Sequence, residues 1–488
     1  MTDAVAGTLR AGTSAGRWVV VATVLGSGMA FLDGTVVNVA LPAIGRDLHS
    51  GLAGLQWTLD AYLLTLGALL LLGGSLGDRY GRRRVYVVGL IAFSCASALC
   101  GLAPTLGALI AARAVQGVGG ALLVPGSLAL LSASFAPEDR GRAVGAWSGL
   151  AGAFSALGPF LGGWLVDAVS WRFVFLINLP VAVITVWVVL AHVPESRDPG
   201  AASGGRLDVP GALAATVGLA GVVFALIQGS ANGVTPLVAG AAVVGVAALV
   251  AFPFIERGEA EPLVPLEIFR SHQFSGANAT TFAVYGAFNG ALFLFVVELQ
   301  RGMGYSALEA GSAMLPVTLL MLTLSSRAGR LSQRMGPRLP MTVGPAVAGG
   351  GLLLLGQVGP GTHYLTGVLP AVIVFGLGLA LTVAPLTAAV MAAVEERHLG
   401  VGSGVNNAVA RVAGLLSVAL LPLAAGLSGV DPGAPGFPAG VRTALRISAV
   451  VCVVGGGVAF TSVRRSVAAR AVVHPSMSQA CADPVVVR

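Results

Sequence analysis

Apolar stretches near 20 residues long recur along this chain, separated by short loops that carry arginine, and this limits the possible folds more than any other feature. A helix needs about 20 residues to cross the hydrocarbon core of a bilayer. Such stretches cover residues 18–41, 55–76, 85–102, 106–131, 143–166, 173–191, 209–228, 236–255, 274–299, 308–326, 340–357, 365–394, 401–427 and 441–463, fourteen in all. Backbone polar groups in lipid must be paired internally, so each stretch is expected to be a helix. Of the 488 residues, 56% are apolar and 10% are charged, whereas a soluble domain carries about 25% charged residues. Too little charge remains to cover a water-facing surface, and an all-α membrane protein is expected.

The net charge of +7 rests on arginine alone, because the chain contains no lysine. The arginines sit in short loops rather than on one face or in a tail. That pattern argues for membrane orientation and against nucleic acid as a partner. An even number of spans puts both termini on one side. Placing them in the cytoplasm gives the inner loops about three times as many arginines as the outer loops, which fixes the expected orientation. The first stretch is longer than a secretory signal core and contains Asp33 and Asn38, so it is read as a retained span. The four cysteines, Cys95, Cys100, Cys452 and Cys481, have neither a disulfide pattern nor metal-ligand spacing.

An internal repeat divides the chain. The residues from Gly74 to Arg83, after the second span, match those from Gly329 to Arg338, after the tenth, with Gly, Leu, Arg, Gly and Arg in register. Parallel repeats of six spans are a known transporter design. The expected organisation is a cytoplasmic N-terminus (1–17), a six-helix bundle (18–193) and a Pro/Gly/Ser-rich linker (194–208). An inserted helix pair (209–256), a second six-helix bundle (257–463) and a disordered cytoplasmic tail (464–488) follow.

Several residues interrupt the apolar pattern. Arg113 lies inside the fourth span, and an ionisable group at that depth is a functional hypothesis by default. It is about 9 Å from the outer edge and Asp33 about 8 Å, at 1.5 Å per helical residue. An Asp33–Arg113 pair is therefore expected, with Gln116 one turn deeper. Asp60 in the second span is either a second buried acid or an interfacial residue beside Trp57. Glu298, at the end of the ninth span, reads as interfacial, and Asp167 and Glu309 as loop or helix-start residues. No histidine lies in a predicted span, so proton handling within the membrane falls to carboxylates. The loop containing Gly77, Asp78, Arg79, Gly81, Arg82 and Arg83 is a tight turn, with Asp78 expected at a helix N-terminus. Alone, it could serve topology only.

In the fifth span, Gly145, Gly149, Gly152, Gly158, Pro159, Gly162 and Gly163 suit close helix contact and a bend, whether for sliding or for static packing. Arg411 in the thirteenth span has no evident partner and is placed near the cytoplasmic end, where it could snorkel. Asn38, Gln116, Tyr285, Phe288, Asn289 and Phe293 are candidates for a substrate pocket. An aromatic stripe such as that of the ninth span is more often packing than pocket.

Taken in order, these motifs resemble the major facilitator superfamily. The run from Gly77 to Arg83 looks like its loop signature between the second and third helices. Arg113 with Gln116 and Gly117 looks like its fourth-helix motif, and the run from Gly158 to Gly163 like its fifth-helix antiporter motif. The run from Leu32 to Pro42 is similar to the first-helix signature of the fourteen-helix drug:proton antiporters, and the run from Trp171 to Pro180 also resembles that branch. The resemblance implies two six-helix bundles plus two inserted helices, alternating access, and proton-driven export of hydrophobic or cationic small molecules. It implies Asp33, Asp60 and Arg113 as proton-coupling residues. It also implies a bacterial plasma membrane location, a monomer, the proton gradient as energy source, and no cofactor, metal or enzymatic activity. The second loop departs from the pattern at Gln333, where the first has Asp78. Export of one dedicated metabolite or lipid, or a sensor that does not transport, stays open at this level.

Overall fold

The computed structural model describes residues 9–10, 12–197, 207–395 and 399–464. Fourteen helices in it are long and apolar enough to cross a membrane. They are α1 (Ser14–Asp47), α2 (Leu52–Tyr80), α3 (Arg82–Gly101), α4 (Leu106–Ser134), α5 (Pro137–Ala168), α6 (Phe173–His192), α7 (Val209–Asn232), α8 (Pro236–Gly258), α9 (His272–Arg301), α10 (Ala307–Met335), α11 (Arg338–Leu355), α12 (Tyr364–Ala392), α13 (Gly400–Ala424) and α14 (Phe437–Ser462). The chain is a multi-pass, all-α membrane protein.

The helices outrun the apolar stretches that announce them. The 34 residues of α1 rise about 51 Å at 1.5 Å per residue, well beyond a core of about 30 Å. Hydropathy marks only the part in lipid, because polar turns outside it are equally good helix. Side-chain caps define several starts: Thr13 accepts from Gly16 N–H, Thr105 from Ala108 N–H and Asp208 from Gly211 N–H. Ser306 and Glu309 form a reciprocal capping box, so Glu309 is a helix-start residue as expected. The tail beyond Arg464 and the linker residues 198–206 lie outside the described residues.

Within the first six spans the main packing pairs α2 and α3 with α4, and α1 with α5. Within the last six it pairs α11 with α12 and α14, and α9 with α13 and α14. Two seams join the groups. Along one, α2 packs against α13, and α7 lies over the join. There Leu219, Val223 and Ile227 bury against Ala68, Leu415 and Ala419, and Trp57 meets Phe224 at 6.2 Å. Helix α8 packs on α7 at the periphery.

The other seam, between α5 and α10, is tight only at the end away from the arginine-rich loops. There Asp167, far from being a simple loop-flanking group, accepts from the N–H groups of Ala307 (3.2 Å) and Leu308 (2.8 Å) and so anchors the start of α10. At the same end Gln56 donates to the carbonyl of Val418 (2.7 Å), Gln300 to Val39 (2.9 Å) and Arg301 to Pro42 (3.1 Å). These side-chain hydrogen bonds between the two groups lie at the arginine-poor end. Toward the other end, α5 exposes Gly145, Gly149 and Leu150, and no atom would meet a side chain added at Gly145, Gly149 or Gly152. The protein is thus sealed at one end and parted along the α5–α10 seam at the other.

Candidate functional site

Five helices deliver one buried polar cluster. Asp33 on α1 and Arg113 on α4 are 0% and 1% exposed, and their ion pair measures 2.6 Å. Gln116, one turn along α4, accepts from Arg113 Nη1 (2.8 Å) and donates through Nε2 to Asp33 Oδ1 (2.8 Å). Arg113 Nε donates to the Thr58 carbonyl on α2 (3.0 Å), and the guanidinium lies 4.3 Å from the Tyr62 ring. Asn178 on α6 donates to Ser97 (3.0 Å) and, at 3.5 Å, to Asp33. A buried ion pair costs desolvation unless further hydrogen bonds satisfy the remaining lone pairs and protons. Here both carboxylate oxygens and the guanidinium have such partners. The expected pair forms, and Gln116 is part of it, closed off from any open space. As a pocket residue Gln116 is therefore corrected: its amide is consumed by the ion pair.

Ser97 and Asn178 were not singled out from the sequence. Serine is too common in helices to signal anything alone. Asn178 belongs to the run from Trp171 to Pro180, whose two ends have separate tasks. At one end, Trp171 Nε1 and Arg172 Nη1 bind the Asp47 carboxylate (2.9 and 2.6 Å) and tie the end of α1 to the start of α6. At the other, Asn178 completes the Asp33 cluster.

Asp60 is fully buried, and neither of its oxygens has a hydrogen-bond partner. This decides between the two readings of Asp60: it is not interfacial. Glu298 is corrected in the same way, being 4% exposed with both oxygens unpartnered. Its carboxyl lies beside Gly302 at the end of α9, in a cleft that the start of α14 also lines.

The glycine signature of α5 packs on α1 directly beside the cluster. Gly158 faces Thr35 and the Leu32 carbonyl, and Gly162 faces the side chain and backbone of Val36. Pro159 has no N–H to give the Ser155 carbonyl four residues back. The Thr35 hydroxyl takes that place, at 3.2 Å. Gly163 meets Ala307, and Gly311 meets the Pro159 carbonyl, so the same stretch also touches α10. The spacing of Gly145 and Gly149 gave the same expectation, which fails: that pair touches nothing, because the two spans it could meet have parted there.

In the loop after α2, Gly81 has φ +111°, which only glycine adopts without strain. Its N–H returns to the Gly77 carbonyl (3.0 Å). Asp78 lies in the last turn of α2, not at a helix N-terminus as expected, and pairs with Arg82 at 2.8 Å. The acid at the start of α3 is Glu195, which follows α6. It accepts from the N–H groups of Arg83 (2.9 Å) and Arg84 (3.2 Å) and lies 3.9 Å from both guanidinium groups. Arg83 also donates to the Val193 carbonyl (3.0 Å), and Arg79 stacks on Tyr80 at 5.8 Å. A carboxylate near orphan N–H groups is favoured by the helix dipole, but its distance in sequence hides this partnership.

Of the pocket candidates, Asn38, Tyr285, Phe288 and Asn289 are only partly buried and remain accessible. Phe288 stacks on Phe375 at 5.8 Å, and the amides of Asn38 and Asn289 each donate to a backbone carbonyl one turn back. Phe293 is corrected: it is fully buried in the core at the sealed end. Arg411 is corrected too. It stands eleven residues into α13, about 16 Å along the axis, near mid-span rather than at a snorkelling end.

The comparisons with known proteins bear on the fold and the family. The chain is 37% identical over 409 residues to the puromycin resistance protein pur8 of Streptomyces alboniger, covering 83% of this chain and 80% of that one. It is 36% identical to the multidrug resistance protein Stp of Mycobacterium tuberculosis (strain CDC 1551 / Oshkosh), covering 82% and 74%. It is 35% identical to the tetracenomycin C resistance and export protein of Streptomyces glaucescens, again covering 82% and 74%. Among solved structures, a bacterial homolog to the human lysosomal transporter Spinster superposes with a TM-score of 0.64 at 17% identity, over 92% of this chain and 97% of that one, a likeness of fold alone. The family model described as Major Facilitator Superfamily matches residues 23–418. With that match over most of its length, this chain belongs to the Major Facilitator Superfamily.

Proposed function

We propose that this protein is a proton-coupled exporter of hydrophobic drugs or antibiotics, working by alternating access in the plasma membrane with both termini in the cytoplasm. The observation that carries the reading is that one helix, α1, holds the buried Asp33–Arg113 pair, the glycine contact and the seal. Asp33 binds Arg113, Thr35 and Val36 meet α5, and the carbonyls of Val39 and Pro42 hold Gln300 and Arg301 of α9. Protonation of Asp33 removes the charge that Arg113 and Gln116 satisfy. The cluster then loosens, and α1 transmits the change within three turns to the glycine contact and the seal. Relatives named for puromycin resistance, multidrug resistance and tetracenomycin C export support a cargo of this kind.

In this conformation the seal faces outward, and the parted α5–α10 seam admits cargo from the cytoplasmic side. A membrane potential contributes about 2.3 kcal/mol per charge per 100 mV, so inward proton flow can drive export uphill. The Asp33→Asn variant in proteoliposomes is expected to lose pH-driven efflux while still exchanging substrate at equal pH. Efflux at the unaltered rate under a pH gradient would sink the assignment.

A further inference from the structure

Arg411 stands near mid-span where α2, α9 and α13 meet, and it takes no part in the proton cluster. Gly67 of α2 leaves room beside it: a Cβ at Gly67 would lie 3.5 Å from the Arg411 Cβ. Asn289 of α9 lies against Gly414, one turn further along α13. Tyr285, whose carbonyl accepts from the Asn289 amide at 2.8 Å, stands one turn back on α9.

Arg411 Nε is shielded from solvent and has no hydrogen-bond partner, and the Tyr62 hydroxyl is in the same condition. No carboxylate lies within ion-pair distance of Arg411 among the described residues. The acids of the spans are otherwise placed: Asp33 is held by Arg113, Asp60 is enclosed, and Glu298 is buried at the sealed end. A guanidinium at this depth without an anion is costly, and such groups mark substrate pathways. An unspent donor is the complement of an acceptor that the protein itself does not supply.

We infer that Arg411 is an anion-recognition point in the cargo site, and that the exported molecules are amphiphiles carrying a carboxylate or another acidic oxygen group. This rests on the exporter reading for its place in transport, and it replaces the cationic cargo that family resemblance alone implies. Planar, permanently charged arginine suits the two oxygens of a carboxylate. The apolar body of the cargo then lies along Phe288, which shares the accessible side of α9 with Tyr285.

The test uses the full chain in lipid nanodiscs and three probes with one apolar body: 1-pyrenebutyric acid, its methyl ester and pyrenebutylamine. Binding is read by fluorescence against empty nanodiscs. The acid is expected to bind most tightly. Arg411→Gln weakens it by about tenfold or more and changes the ester by less than about twofold, while Arg411→Lys keeps much of the acid's affinity. Equal binding of amine and acid by the unaltered protein would overturn the inference, as would an equal loss of all three probes in an Arg411→Gln protein that melts normally. A uniform loss restored by adding Asp60→Asn would also overturn it and reassign Arg411 as a partner of Asp60 in another conformation. pH-driven efflux of the acid from proteoliposomes is scored separately. Binding as described without efflux would remove the exporter reading and leave the anion site standing.

Discussion

In the first six spans Arg113 meets Asp33 at 2.6 Å, Arg82 meets Asp78 at 2.8 Å, and Arg83 and Arg84 share Glu195. In the last six, Arg338 and Arg411 each keep a shielded Nε with no partner, and Glu298 keeps two such oxygens. The repeated loops show the same contrast on a small scale. Both turn at a glycine with positive φ, Gly81 at +111° and Gly336 at +82°. After the first, an acid from beyond α6 caps α3. After the second, Arg338 lies over the Phe460 ring at 4.1 Å instead. The repeat therefore preserves backbone shape, while among the described residues the ion pairs of these loops belong to the first copy. A group that is paired internally holds its shape until a proton intervenes. A group left unpaired is available to something that comes and goes.

The sharpest way to break this contrast is to truncate the two mid-span arginines. Arg113→Ala strands the buried Asp33 and is expected to lower stability by about 3–5 kcal/mol, read as a large fall in the melting temperature of the purified protein. Arg411→Ala strands no protein partner and is expected to cost less than about 1 kcal/mol. Equal falls would show that the two halves handle charge alike.

A smaller effect is expected at the loop. Glu195→Gln removes the charge beside the orphan N–H groups of α3 and costs about 1 kcal/mol. Hydrogen exchange at the Arg83 and Arg84 amides should quicken by about fivefold, with no change at α11. Unchanged exchange there would mean that Glu195 does not hold the loop. The smallest effect tests the copy itself. Gln333→Asp restores the sequence symmetry of the loops, yet is expected to shift stability by less than about 0.5 kcal/mol, because the residue four positions on is Pro337, which has no side-chain donor to pair with it. A gain as large as the loss in Glu195→Gln would show that the loops are equivalent after all.

The Asp33–Arg113 pair is legible in the sequence, because helix rise converts sequence position into depth and charges in lipid must find one another. The glycines at 158 and 162 were legible by spacing, yet the same spacing at 145 and 149 misled. Spacing reports that a helix could approach, and the tilt of the two groups decides whether one does. Glu195, Ser97 and Asn178 were out of reach for a related reason. Their partners lie 112, 19 and 81 positions away, and no local pattern carries that information.

What the sequence determined by itself is the solvent, the number of spans and the side favoured by arginine. These follow from the length and polarity of single segments, since each helix in lipid must satisfy its own backbone. Which buried charges are paired, which acids are enclosed, which end is sealed and which arginine is left open were decided only by tertiary structure. They depend on how separate helices rotate and tilt against one another, and a helix that is apolar nearly all round specifies its own rotation weakly.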